Sequence, residues 1–126
     1  METFRDAVEI QNLFLKLLES AEKDILLLLS TANTFRRIEK LGFIFQLINS
    51  ASLNVNVRLL IDLDTSVEKI IDGYGKDFDK IKYHILSKPV QSSLINLIVD
   101  ESLLLVVDIK DDSQEVFEDC RIGYIF

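Results

Sequence analysis

Apolar residues recur along this chain at two different periods, and the switches between them mark out its elements. Between Thr3 and Ala21, the residues Phe4, Val8, Leu13, Phe14, Leu17, Leu18 and Ala21 fall at helical spacing, and Thr3-x-x-Asp6 has the form of a capping box. That pattern predicts an amphipathic helix whose stripe packs on a core. Ile10 and Leu15 lie off the stripe, which leaves room there for a partner surface. The next stretch, "KDILLLLSTA", is too short and too uniformly apolar for a surface helix and reads as a strand covered on both faces.

A second helix is expected from about Thr34 to Ser50, with Ile38, Leu41, Ile44, Phe45 and Ile48 as its stripe. "LNVNVRLLID" alternates at Val55, Val57, Leu59 and Ile61 and reads as the second strand. Ser66 is placed to cap a short helix through Ile71, ended by Gly73 or Gly75, and "KIKYHIL" follows as a third strand. Beyond the Lys88-Pro89 turn come strands from roughly Leu94 to Val99 and from Leu103 to Ile109, joined by the tight reversal Asp100-Glu101-Ser102. "RIGYIF" supplies a last strand. Helices alternating with strands, then strands alone, predict an α/β fold whose parallel core gains an antiparallel hairpin at its C-terminal end. No repeat, low-complexity tract or linker breaks the pattern, so residues 1 to 126 read as a single domain.

Composition narrows the class. Hydrophobic residues make up 48% of the 126, enough for a sizeable core, and 28% are charged. Apolar runs such as Ile25 to Leu29 fall far short of the roughly 20 residues a membrane-spanning helix needs, and "METFRDAVEI" has no apolar signal core. The single cysteine, Cys120, excludes an intrachain disulfide and fits a reducing compartment, so a cytoplasmic location is expected, with the thiol as an apolar filler. Neither cofactor nor metal is expected. Cys120 has no Cys or His partners nearby, and Asp62 and Asp64 lack further carboxylates at regular spacing.

The net charge of −7 argues against sequence-independent nucleic-acid binding, so nucleic acid is not expected among the partners. The acidity is concentrated late in the chain. Asp100, Glu101, Asp108, Asp111, Asp112, Glu115, Glu118 and Asp119 face one base, Lys110, which reads as a solvated acidic edge.

Candidate chemistry lies first in "STANTFRR". It follows the first strand and opens a helix, the place where ligands collect in open α/β sheets. Ser30, Thr31, Asn33 and Thr34 offer hydroxyls and an amide. Arg36 and Arg37 are expected in the first helical turn, where a cation opposes the helix dipole, and this suggests a small anion to hold. The competing reading is that the polar residues cap the helix while the arginines pair with Glu39 or surface acids. His84, the sole histidine, reads as a partly exposed strand residue.

The hairpin "SSLINLIVDESLLLVVDIKDD" resembles the active-site hairpin of the phospholipase D-like superfamily, whose motif is His-x-Lys-x4-Asp. The resemblance implies one half of a phospholipase D-like α/β sandwich with a mixed sheet. It also implies lost catalysis. Asp100 matches the aspartate, but Ser93 and Ile95 stand where histidine and lysine belong, and counting from His84 does not restore the motif. Ser93 has no neighbouring base to make it a nucleophile. Asp100 is then a hairpin-turn residue.

"ESAEKDILLLLSTANTFRRIEK", "NVNVRLLID", "LIVDESLLLVVDIKDDS" and "RIGYIF" together resemble the non-catalytic sensor module of thaumarchaeal histidine kinases, over about Phe4 to Phe126. That resemblance implies a sensory or ligand-binding domain in two-component signalling, with an attached or partner kinase core, a possible small anionic ligand and a homodimer. The other expected role is dimerisation and signal relay without a small ligand. Any kinase activity would belong to other segments.

Overall fold

In the computed structural model of the chain, the described residues are 2–4, 6–87, 94–109 and 120–125, the last of these as backbone. They form a seven-stranded sheet of β1 (Glu2–Phe4), β2 (Asp24–Leu29), β3 (Asn56–Ile61), β4 (Lys82–Ile85), β5 (Leu94–Val99), β6 (Leu103–Ile109) and β7 (Cys120–Ile125). The strand order across the sheet is β1-β7-β6-β5-β2-β3-β4. β2, β3 and β4 are parallel, and every other pairing is antiparallel. The connections are made by α1 (Ala7–Ser20), α2 (Ala32–Lys40), α3 (Phe43–Ser52), α4 (Thr65–Tyr74) and a 3-10 turn, Gly75–Lys80. The mixed sheet with a parallel core and an antiparallel end is the one the pattern predicts.

The period of two decides where the core lies. Ile25, Leu27 and Leu29 of β2, Val57, Leu59 and Ile61 of β3, Ile95, Leu97 and Val99 of β5, and Leu105, Val107 and Ile109 of β6 point to one face and are buried. They form one cluster with Ile10, Phe14, Phe35, Ile38, Phe43, Ile44, Leu47 and Val67 from the helices. Phe14 of α1 stacks on Phe43 of α3 with ring centroids 4.9 Å apart. Each such side chain removed from water contributes about 1.5–3 kcal/mol before the entropy of ordering it is subtracted.

The alternate positions, Leu26, Leu28, Leu60, Ile98, Leu104 and Val106, are only half-buried and do not belong to that cluster. β2 is therefore not covered on both faces by helices, as its uniform apolarity suggests. The crossovers β2–α2–α3–β3 and β3–α4–β4 step the same way across the sheet, so their helices share a face, and among the described residues no helix packs on the other.

Three boundaries differ from the sequence reading. The first helix begins at Ala7, because Asp6 is its cap, accepting from the Val8 and Glu9 amides at 2.8 and 3.3 Å, while Thr3 pairs with Tyr124 in the sheet. Ile10 is fully buried and Leu15 packs partly on the core, so neither offers a partner surface. The expected single helix from Thr34 to Ser50 is two helices, broken at Gly42, whose φ of +79° is left-handed. The break turns Phe45 outward, to 60% exposure. Asp64, not Ser66, caps α4, accepting from the Val67 amide at 2.8 Å.

Candidate functional site

The carboxyl ends of β2 and β3 and the first residues of β5 meet at one edge of the sheet, where α2 and α4 also begin. Ser30 is buried and pins β5 there. Its hydroxyl donates to the Leu94 carbonyl at 3.0 Å and accepts from the Leu94 amide at 2.9 Å. Thr31 caps α2 in a reciprocal box, each threonine hydroxyl of the Thr31–Thr34 pair accepting from the other's amide at 3.2 Å. The Thr34 hydroxyl also donates to the Thr31 carbonyl at 2.6 Å.

Arg36 crosses from α2 to the start of α4. Its Nη1 donates to Asp64 Oδ2 at 2.8 Å and to the Ser66 hydroxyl, and its Nη2 donates to Asn33 Oδ1. Desolvation works against ionisation of Asp64. The Val67 amide, the Arg36 guanidinium and the Ser66 hydroxyl outweigh it and hold the carboxyl at about 2. Ser30, Thr31, Asn33 and Arg36 are thus brought together at the strand ends, with Asp64 and Ser66 added from α4. Arg37 is not exposed there: it is fully buried among Thr34, Phe35 and Ile38 on the inner face of α2. Because α2 begins at Ala32, Arg36 lies in its second turn and Arg37 in its last, where a cation suits the dipole. The dipole argument for an anion therefore loses its premise.

The degenerate hairpin divides between the two ends of β5. Ile95 lies at the crevice end, fully buried in the helix-side core and in register with Leu29 and Val107. Ser93 lies outside the described residues. Asp100 sits at the far end. Its carboxylate accepts from the backbone amides of Glu22, Lys23 and Asp24 at 3.0, 2.7 and 2.9 Å, tying the hairpin tip to the entry of β2. The Asp24, Glu22 and Lys23 amides hold its carboxyl below the usual carboxylate range. His84 is exposed on β4, beside Leu60 of β3, and no part of this crevice. Arg58 is the residue the sequence reading passed over. It stands on the open face of the sheet with its Nε buried and no hydrogen-bond partner among the described residues.

The sheet order, the one-sided helices and the hairpin tip held by an aspartate define a phospholipase D-like α/β fold. Solved structures that share it at low identity include the following two. TrmBL2, described as an archaeal chromatin protein with a novel mode of DNA binding, aligns with a TM-score of 0.62 and 19% identity, over 99% of this chain and 44% of its own. NucT from Helicobacter pylori aligns with a TM-score of 0.65 and 15% identity, over 98% of this chain and 82% of its own. This chain thus spans less than half the length of TrmBL2, and identities this low establish the fold alone. No family model matches the chain, and no curated protein does.

These likenesses correct two expectations. The identification with a histidine-kinase sensor module, and with it the kinase core as partner, is not sustained, since the structural neighbours are a chromatin protein and NucT. The stretches that suggested it are accounted for by the fold: "STANTFRR" carries a capping box and "VDESL" a tight reversal. The exclusion of nucleic acid also falls, because a DNA-binding chromatin protein has this fold. Net charge bears on non-specific attraction by the whole chain and does not bar contact through local groups. Among the described residues, no helix is long and apolar enough to cross a membrane.

Proposed function

We propose that this chain is a non-catalytic assembly module, in which a phospholipase D-like half-fold brings chains together and cleaves no phosphodiester. The burial of Ile95 carries the reading. The position at which the superfamily's motif has lysine holds a fully buried isoleucine that is part of the core. No charged group can serve a phosphate from there without unpacking the core. Arg36, the partly exposed cation at the strand ends, is occupied by Asp64, Ser66 and Asn33. The reducing, cytoplasmic setting suggested by the single cysteine belongs to the same proposal, and the TrmBL2 likeness adds DNA-associated proteins to the settings in which such a module would serve. The test is hydrolysis of a chromogenic phosphodiester by the pure chain, expected at the buffer rate. Turnover that disappears in Ser93→Ala would overturn it.

A second reading, a small-anion sensor, draws on one observation. The Arg36–Asp64 pair is partly open to solvent, with 18% and 45% of its side chains exposed, so an anion can compete with Asp64 for the guanidinium. Sulfate or phosphate should then raise the melting temperature of the parent and raise it less in the Arg36→Ala variant. Equal shifts in both proteins dispose of this reading.

A further inference from the structure

The two edges of the sheet are not alike. At one, β1 has three residues and its Phe4 packs against the core. At the other, β4 carries two exposed large apolar side chains two residues apart, Tyr83 at 41% and Ile85 at 54%. They stand in register with Leu59 and Ile61 of β3 and so lie on the helix side of the sheet, yet neither belongs to the core or packs against it. Tyr83 meets the buried Phe78 edge to face, with ring centroids 5.5 Å apart. Between Tyr83 and α4 lies a cavity of about 240 Å³, lined by Leu63, Glu68, Ile71, Asp72 and Tyr83.

The backbone of the same strand is unpaired on its outer side. The Leu86 amide donates to the Ile61 carbonyl at 2.8 Å, so by alternation Lys82 and His84 also turn their amides and carbonyls toward β3. Those of Tyr83 and Ile85 turn outward and have no partner among the described residues. Charged side chains commonly guard such an edge. Here Lys82 and His84 stand in register with Arg58 and Leu60, so they guard the open face and leave the helix side unguarded by any base.

Resting on the assembly reading, we propose that the β4 edge takes an extended peptide segment of a partner protein, which adds a strand to the sheet and lays an aliphatic side chain flanked by Lys or Arg into the α4–β4 groove. Strand addition draws its affinity from main-chain hydrogen bonds and its specificity from pockets for alternate side chains. Both are present here, the free backbone groups of Tyr83 and Ile85 and the groove beside them. Size agrees. The cavity is smaller than the roughly 300–1,000 Å³ of a small-molecule site and suits single side chains. Charge selects the flanking residues. Glu68 and Asp72, four apart on one face of α4, are both exposed, and no base lines the cavity with them. A second copy of this chain is the poorer occupant. Paired antiparallel, its own β4 would bring Tyr83 and Ile85 to the groove with no cation between them, along with a second Glu68–Asp72 pair on a chain of net charge −7.

Fluorescence anisotropy of the full chain with labelled heptapeptides tests this. The peptides have threonine at the odd positions and every combination of isoleucine, lysine and glutamate at the even ones. Those combining isoleucine with lysine should bind with a Kd of about 10–500 µM, at least about 10-fold more tightly than their glutamate counterparts. N-methylation of alternate amides in the best peptide, in its two registers, should give one form that no longer binds and one that binds within about threefold. Glu68→Gln with Asp72→Asn, both at exposed positions, should weaken binding about 3- to 10-fold and remove the preference for lysine. Ile85→Pro removes an outward amide, leaves the bond from the Leu86 amide to the Ile61 carbonyl in place, and should abolish binding. Should Ile85→Pro not fold, the two methylated peptides still decide. No binding up to about 1 mM, equal binding of the two methylated forms, or equal binding of lysine and glutamate peptides overturns the proposal. So does a parent dimer that Ile85→Pro converts to monomer, which gives the edge to a second copy. Phosphodiester turnover would sink the assembly reading whatever the peptides do, whereas failure of the peptides leaves that reading standing.

Discussion

Replacing Ile95 with lysine introduces the residue that the phospholipase D-like motif has at this position and asks whether this fold can hold it. The side chain at 95 is fully buried on the helix side, between Leu29 and Val107. A lysine there keeps most of the methylenes, so the main cost is electrostatic. Holding the amine neutral at pH 7 against an ordinary pKa of about 10.4 costs about 4.6 kcal/mol, at ~1.36 kcal/mol per unit. A domain of this size has ~5–15 kcal/mol of stability in total, so Ile95→Lys should remove a third of it or more. The sign with pH follows from linkage. The folded-state pKa is depressed below the unfolded value, so the deficit persists at pH 7 and shrinks by ~1.36 kcal/mol per unit as pH rises toward about 10.4. Urea unfolding of parent and variant at pH 7 and pH 9.5 should show about 3 kcal/mol of the difference recovered at the higher pH. A loss below about 1 kcal/mol at pH 7, or one that ignores pH, means the ammonium reaches solvent at the strand ends. The claim that the crevice is closed to a phosphate-binding cation would then be wrong.

Other consequences are smaller and equally checkable. Glu101 and Asp100 both hold positive φ, +58° and +52°, in the β5–β6 turn, so Glu101→Gly should raise stability by about 0.5–1 kcal/mol in urea unfolding. Asp64 titrates at about 2 in the folded chain, below its usual value, so its share of stability is complete above about pH 4 and lost as pH falls through 2. With 45% of its side chain exposed, solvent screening limits that share to about 1 kcal/mol, and Asp64→Asn should flatten the acid limb of a stability-versus-pH curve by no more than that. Asp100→Asn should lower the urea midpoint and remove part of the acid sensitivity below about pH 4, because the carboxylate that accepts from three amides is held below its ordinary pKa. A variant as stable as the parent would mean the hairpin tip is held by the turn alone.

The alternation of Val57, Leu59 and Ile61 and of the β5–β6 hairpin was legible because a one-residue slip would turn every side chain to the wrong face. The helix break at Gly42 was not, because "RIEKLGFIFQL" keeps a helical stripe through the glycine and only the left-handed φ reveals the stop. The open face was hidden for a related reason. A run such as "ILLLL" looks the same whether the second face meets a helix, a partner or water, and the number of layers is set by the direction of the crossovers. At the strand ends, the polar residues Ser30, Thr31, Asn33 and Arg36 were found from sequence. The partners of Arg36, namely Asp64 and Ser66, lie 28 and 30 residues away; Asp64 was legible as a capping aspartate at the end of the second strand, its pairing with Arg36 was not.

Two positions of the hairpin, Asp100, which matches the phospholipase D-like motif, and Ile95, which departs from it, differ in what depends on them. Asp100 works through the backbone: three amides of the β2 entry converge on one carboxylate, and no side chain of another shape accepts from all three. Ile95 works through volume and burial, a demand that any well-fitting aliphatic meets. Position 95 can therefore be filled by any core residue that gains packing, whereas loss of the Asp100 carboxylate would free the hairpin tip from the entry of β2. The same asymmetry explains why Arg36 is engaged. A cation at the strand ends is most stable when a carboxylate faces it, and Asp64 is positioned to do so by the cap it already provides to α4. The polar groups at the strand ends thus serve the helix caps and each other as internal scaffolding. Among the described residues, the face of the sheet left without helices is the one that bears Leu26, Leu28, Leu60, Ile98, Leu104 and Val106.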